Sequence, residues 1–253
     1  MSQWKNHVLL QLGTFALWIV FFVFMPEDVS AQDSCPEVTQ WLLKDGFHRD
    51  LLSRVKLGTV DEGTGSCMVA IKIHLPKGLY VDPYELMSLN RHNITEALEI
   101  GDYIDLEVPE YLATETDVLV YMKPDPECYY CFRAMLPVHC RYHQPAEVDG
   151  KISAILKNPE ILVHCQKRLL SMECLKETKI EEPCSRKNMH NCHWDSVKFQ
   201  LVNQELELQI PVGLKHHVTL VCTGTLVTTI LCSSLILSSL LKHGEFLFVQ
   251  SSL

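Results

Sequence analysis

Apolar and polar residues alternate with a period of two in several short segments between residues 68 and 210, the pattern of strands with one buried face. Met68–Leu75 predicts one strand, Tyr103–Val108 a second, Asp117–Tyr121 a third and Phe132–His139 a fourth. Val197–Val202 and Glu205–Ile210 flank Asn203-Gln204, which predicts a hairpin turn. Clusters of Pro, Gly and Asp punctuate these runs. The expected fold class is therefore mainly β, an antiparallel β-sandwich-like domain. One short helix interrupts it. Asp82 can cap that helix, Pro83 suits its first position, and Glu85 stands three residues after the cap, as a capping box requires. Its end is expected near Leu89. Residues 151–195 show no sustained period.

Two longer apolar runs carry a different message. Lys5 precedes the apolar stretch Val8–Met25, and Val29-Ser30-Ala31 offers small residues for a cut, which predicts a cleaved signal peptide over residues 1–31. An uncleaved N-terminal anchor is the competing reading. Val218–Leu241 has no charged residue and, at about 1.5 Å per residue, is long enough to cross a bilayer core of roughly 30 Å. It predicts one C-terminal transmembrane helix over 218–241. Basic residues flank both ends, so charge alone does not orient it. The signal peptide does: residues 32–217 become a lumenal β-rich domain and 242–253 a cytosolic tail. A signal for glycosylphosphatidylinositol (GPI) attachment also ends in an apolar tail, but this one continues through Lys242 and Glu245.

Composition narrows the function classes. An apolar content of 47% over 253 residues is ordinary for a globular chain and leaves no room for a bundle of many spans. A net charge of -9 argues against nucleic acid as a partner, because an acidic surface repels phosphates. Of 11 cysteines, nine fall in the expected lumenal part: Cys35, Cys67, Cys128, Cys131, Cys140, Cys165, Cys174, Cys184 and Cys192. An oxidising lumen would join them in disulfides, and the odd count leaves at least one thiol free or paired with another chain.

Candidate chemistry is sparse. Cys128-Tyr129-Tyr130-Cys131 has the spacing of a thiol oxidoreductase, but prolines precede it and a strand follows, so no helix N-terminus activates the thiol. A structural bridge is expected. His139-Cys140-Arg141-Tyr142-His143 groups possible metal ligands, and on one strand both histidines could face the same way. No second ligand pair follows at zinc spacing, and Cys140 is expected in a bridge, so a polar edge or binding surface is the favoured reading. No metal site, cofactor site or catalytic residue is expected. Asn93-Ile94-Thr95 is an N-glycosylation acceptor, with Asn93 the expected site. Within the span, Cys222, Thr225, Thr229 and Cys232 form a stripe of small and hydroxyl residues suited to a helix partner.

Four blocks carry a resemblance to a known family: Lys44–Leu51, Gly78–Leu86, Asn93–Ala97 and Leu136–His143, continued by Gln209–Leu214 and the span. They resemble PIG-X, the family of non-catalytic subunits of GPI mannosyltransferase I. The resemblance implies a single-pass type I protein of the endoplasmic reticulum membrane with its N-terminal domain in the lumen. It also implies a partner, the polytopic catalytic subunit PIG-M, which adds the first mannose to the GPI precursor. On this reading His139, Arg141, Tyr142 and His143 join the span stripe as candidate partner contacts. A type I surface receptor or adhesion protein and a lumenal thiol oxidoreductase are the competing readings.

Overall fold

The computed structural model describes residues 35–57, 67–101, 105–128, 130–165, 174–187, 190–203 and 206–249. The expected signal peptide lies outside them. Fourteen strands occur among the described residues: β1 (Glu37–Leu43), β2 (His48–Lys56), β3 (Cys67–Leu75), β4 (Leu79–Tyr80), β5 (Glu96–Ile100), β6 (Thr116–Tyr121), β7 (Lys123–Pro124), β8 (Cys131–Cys140), β9 (Lys151–Leu156), β10 (Glu160–Cys165), β11 (Leu175–Pro183), β12 (Asn191–Val197), β13 (Gln200–Leu201) and β14 (Leu206–Pro211). Two α-helices accompany them, α1 (Pro83–Arg91) and α2 (Val218–Val249).

Period-two patterning explains how the strands stack. Along β3, Val69, Ile71, Ile73 and Leu75 point to one side and are almost fully buried. They meet Val118 and Val120 of β6, Ile161 and Val163 of β10, and, from other strands, Val38, Leu51, Val55, Leu136 and Val138 in one apolar core. That core lies between two six-stranded sheets, ordered β13-β1-β2-β8-β4 (with β7 also on β8) and β11-β12-β10-β3-β6-β5. All pairings within them are antiparallel except β1 with β13. The domain is thus the mainly β, antiparallel, sandwich-like fold expected. A two-stranded sheet, β14 on β9, adds Leu156, Leu208 and Ile210 to the same core. The second sheet is also covered on its other side at the centre, where Ala70, Leu119, Leu162 and Trp194 cluster. Trp194 is fully buried and its indole N–H donates to the Glu182 carbonyl at 3.1 Å, so burial leaves no donor unpaired.

Three local expectations change. Residues 105–108 of the expected Tyr103–Val108 strand form a bend, and 102–104 lie outside the described residues. The edge position beside β6 belongs to β5 instead. Asn203-Gln204 does not close a hairpin, because β13 pairs with β1 and β14 with β9. Asn203 serves the first sheet: its side-chain oxygen accepts from the Gln40 N–H at 3.2 Å and its amide nitrogen donates to the Gln40 carbonyl. Helix α1 starts as expected, with Asp82 accepting from the Tyr84 N–H at 2.8 Å, and runs two residues beyond Leu89.

Helix α2 grows from the β domain through a short stem. Ala146 bridges Leu214 in parallel, and its carbonyl accepts from the Lys215 N–H at 2.9 Å. Lys215 also pairs with Glu147 at 2.6 Å. The stretch Lys215–Lys242 is exposed throughout, its most apolar 18 residues have a mean hydropathy of 2.0, and among the described residues it is the helix long and apolar enough to cross a membrane. The helix does not stop at Leu241 but continues to Val249.

Candidate partner-binding surface

The end of β8 gathers three segments far apart in sequence. His139 stands directly opposite His48 of β2 on one side and Tyr80 of β4 on the other. The His48 ring meets it edge-on at 4.4 Å between centroids, and the Tyr80 ring stacks on it at 5.2 Å. Glu85, in the first turn of α1, reaches into this group. One carboxylate oxygen lies 2.8 Å from His139 Nε2, and the other 3.8 Å from His48 Nε2. Asp50, tied to Lys44 at 2.6 Å, approaches His48 Nε2 at 3.7 Å.

Beyond His139 the strand alternation stops, and the block expected to act as one surface divides. Cys140 is a buried free thiol, which corrects the expected bridge. The other eight cysteines of the β domain pair as Cys35–Cys174, Cys67–Cys165, Cys128–Cys131 and Cys184–Cys192, and Cys222 and Cys232 of α2 are free. Burial pushes the Cys140 thiol pKa up, against a smaller opposing pull from Arg49, so it is a poor nucleophile. Arg141 turns inward and is 6% exposed. Its Nη1 donates to the carbonyls of Asp105 at 2.9 Å and Val108 at 2.7 Å, while its guanidinium lies 4.8 Å from the Tyr80 ring centroid. Burial lowers its pKa and raises that of Tyr80. Arg141 is a brace for the 105–112 segment, not an exposed contact.

Tyr142 is the outward member, 78% exposed, with Phe47 beside it at 5.7 Å between centroids. Its carbonyl accepts from the Glu110 N–H at 3.0 Å, which brings the exposed Tyr111 and Leu112 to the same corner. His143 leaves His139 and packs on Gly78, where an added Cβ would lie 2.7 Å from its Nε2. The two histidines therefore do not form the pair their spacing allowed.

The remaining candidates are spread out. Cys128–Cys131 sits in a turn that runs straight into β8, with no helix beginning there. Asn93 is exposed with φ 54°, a backbone state asparagine tolerates, while Thr95 is 3% exposed and donates its hydroxyl to the Met135 carbonyl at 2.6 Å. On α2, Cys222, Thr225, Thr229 and Cys232 fall within an arc of about 80° at 100° per residue. Thr225 donates to the Val221 carbonyl at 2.9 Å and Thr229 to the Thr225 carbonyl. Their protons are thus satisfied inside the helix, which weakens them as donors to a neighbour.

Comparison with known proteins decides the kinship. The family model described as PIG-X / PBN1 matches residues 44–241. The chain belongs to this family. Similar proteins include the GPI alpha-1,4-mannosyltransferase I, stabilizing subunit, of Homo sapiens, 44% identical over 227 residues, which cover 89% of this chain and 88% of the relative. The proteins of the same description from Rattus norvegicus (44%) and Mus musculus (43%) align over 215 residues, 84% of this chain and 85% of each relative. No solved structure matches. Within the region matched by PIG-X / PBN1, the separate blocks containing Phe47 and His48, Tyr80 and Glu85, and His139 to Tyr142 converge at the corner described above. Sequence reasoning gave Glu85 only a capping role and left Phe47, His48 and Tyr80 without one. Their part depends on which strands pair, and local pattern does not report that.

Proposed function

We propose that this chain is the non-catalytic, stabilising subunit of GPI mannosyltransferase I in the endoplasmic reticulum membrane. Its partner on this reading is the polytopic catalytic subunit PIG-M, which adds the first mannose to the GPI precursor. The observation that carries the proposal is 44% identity to a stabilizing subunit of that transferase over nearly nine-tenths of the chain. The physical form agrees: among the described residues, one candidate span attached to a disulfide-bonded β domain suits a chain that holds a multi-span enzyme rather than building a membrane active site alone. The β domain faces the lumen, where its disulfides form and Asn93 is glycosylated. The corner at Tyr142 and the span stripe are the contacts.

Purification of the full chain from mild detergent should recover the mannosyltransferase. Cells lacking the chain should lose most of that enzyme and most surface GPI-anchored proteins. Normal transferase level and activity without the chain would reject the proposal. Glycosidase treatment of detergent-opened microsomes should shift one band, and Asn93→Gln should abolish the shift; a band that moves with neither would reject the lumenal orientation.

A further inference from the structure

We propose that His48, Glu85 and His139 form a site for a divalent transition metal of the zinc class. The two imidazole nitrogens and the carboxylate all lie within 4.8 Å of one another. Zinc bonds of about 2.0–2.2 Å in a tetrahedron place neighbouring donors roughly 3.3–3.5 Å apart. The separations from the two Glu85 oxygens, 2.8 Å to His139 and 3.8 Å to His48, straddle that value. Side-chain rotation that draws the three donors from within 4.8 Å to that spacing closes the site.

The convergence offers a cation three donors at one point. An ordinary ion pair satisfies one carboxylate with one imidazole, whereas here the Nε2 atoms of two histidines face the same carboxylate. One metal between them takes a lone pair from all three groups. Two imidazoles and a carboxylate, with a fourth position open to solvent, form an established zinc donor set. Calcium and magnesium prefer more oxygen ligands than this corner supplies.

The donors are held from independent directions, as metal selectivity requires. His48 and His139 are fixed as opposite residues of an antiparallel pair, and Glu85 by a capped first helical turn. The surrounding groups suit ligands: Tyr80 stacks on the His139 ring, and Asp50, anchored by Lys44, stands 3.7 Å from His48 Nε2. A bound ion would pin α1 to β2 and β8 and stiffen the corner from which Tyr142 projects.

The test uses the purified full chain in detergent, carrying His216→Gln and His217→Gln to remove the adjacent histidine pair near the membrane. After chelation it is titrated with Co2+ alone, then with Zn2+. The expected result is one equivalent of Co2+ with the visible absorption of a four- or five-coordinate nitrogen and oxygen site, displaced by Zn2+. Loss of a single supporting group at a metal site costs about 10–100-fold in affinity, so Glu85→Gln should weaken binding at least tenfold and His48→Gln with His139→Gln should abolish it. A second measurement needs no variant at the site. Zn2+ should protect His48 and His139, and not His193, from diethyl pyrocarbonate, read by peptide mass spectrometry. Absence of stoichiometric binding overturns the proposal. So does metal binding that leaves the reactivity of both rings unchanged.

Discussion

Arg141 and Tyr142 are neighbours in sequence and should behave as opposites when changed. Arg141→Met keeps most of the aliphatic stem but removes the guanidinium that holds the carbonyls of Asp105 and Val108. Each such charged hydrogen bond contributes roughly 1.5–3 kcal/mol, and the stacking on Tyr80 about 1 more. Water can reach the exposed Asp105, and release from the burial that depresses the Arg141 pKa offsets part of the loss. The net destabilisation should be about 2–3 kcal/mol. Tyr142→Ala, at 78% exposure, should stay within about 0.5 kcal/mol of the parent. Its effect belongs to binding. A central aromatic anchor contributes about 2 kcal/mol or more to an interface, roughly a 30-fold change in affinity. The assay pairs urea unfolding of the purified full chains with recovery of the mannosyltransferase from mild detergent. Arg141→Met should unfold early, whereas Tyr142→Ala combined with Phe47→Ala should unfold normally and recover little enzyme. Equal stability of Arg141→Met and parent would refute the brace. Undiminished recovery by the folded Phe47 and Tyr142 double variant would refute the aromatic corner as the contact.

Three further outcomes are expected. Loop-closure entropy gives about 5 kcal/mol for Cys35–Cys174, separated by 139 residues, and about 2 for Cys128–Cys131, separated by 3, so serine replacement of the first pair should lower the unfolding midpoint far more; the reverse order, or disulfide reductase activity lost with Cys128 and Cys131, would contradict a structural role for the short bridge. Burial raises the Glu99 pKa in the folded chain despite Arg141, so its stability contribution is greatest below the unfolded carboxylate pKa and is lost as pH rises through the folded value. Glu99→Gln should therefore stabilise the domain at pH 7 and lose that advantage towards pH 4, and destabilisation at pH 7 would show that the charge is needed. Exchanging Val218–Leu241 for a leucine-rich span should weaken recovery of the enzyme without abolishing it, because interhelical hydrogen bonds average only about 0.6 kcal/mol and Thr225 and Thr229 donate within their own helix; complete loss with a folded β domain would assign recognition to the helix.

Sequence alone determined what is local. Period-two runs located β3, β6 and β8 to within a residue or so of their ends, Asp82 and Pro83 marked the start of α1, and an uncharged stretch marked the helix fit to cross a membrane. Each rests on interactions within a few residues, or on a face pattern readable along one segment. Tertiary structure decided the partners. Period two tells which side chains share a face but not which strand lies opposite, so the hairpin at Asn203 gave way to pairings with β1 and β9, more than 40 residues away. An odd cysteine count required at least one cysteine without a partner in the domain, but only packing chose Cys140, which is a buried free thiol. The same long-range register turned Arg141 inward, left Tyr142 in solvent, and carried His48 and Glu85 to His139. Residues separated by 91 positions in the chain became directly opposed, because cross-strand hydrogen bonds and the shared core, not sequence proximity, set which side chains meet.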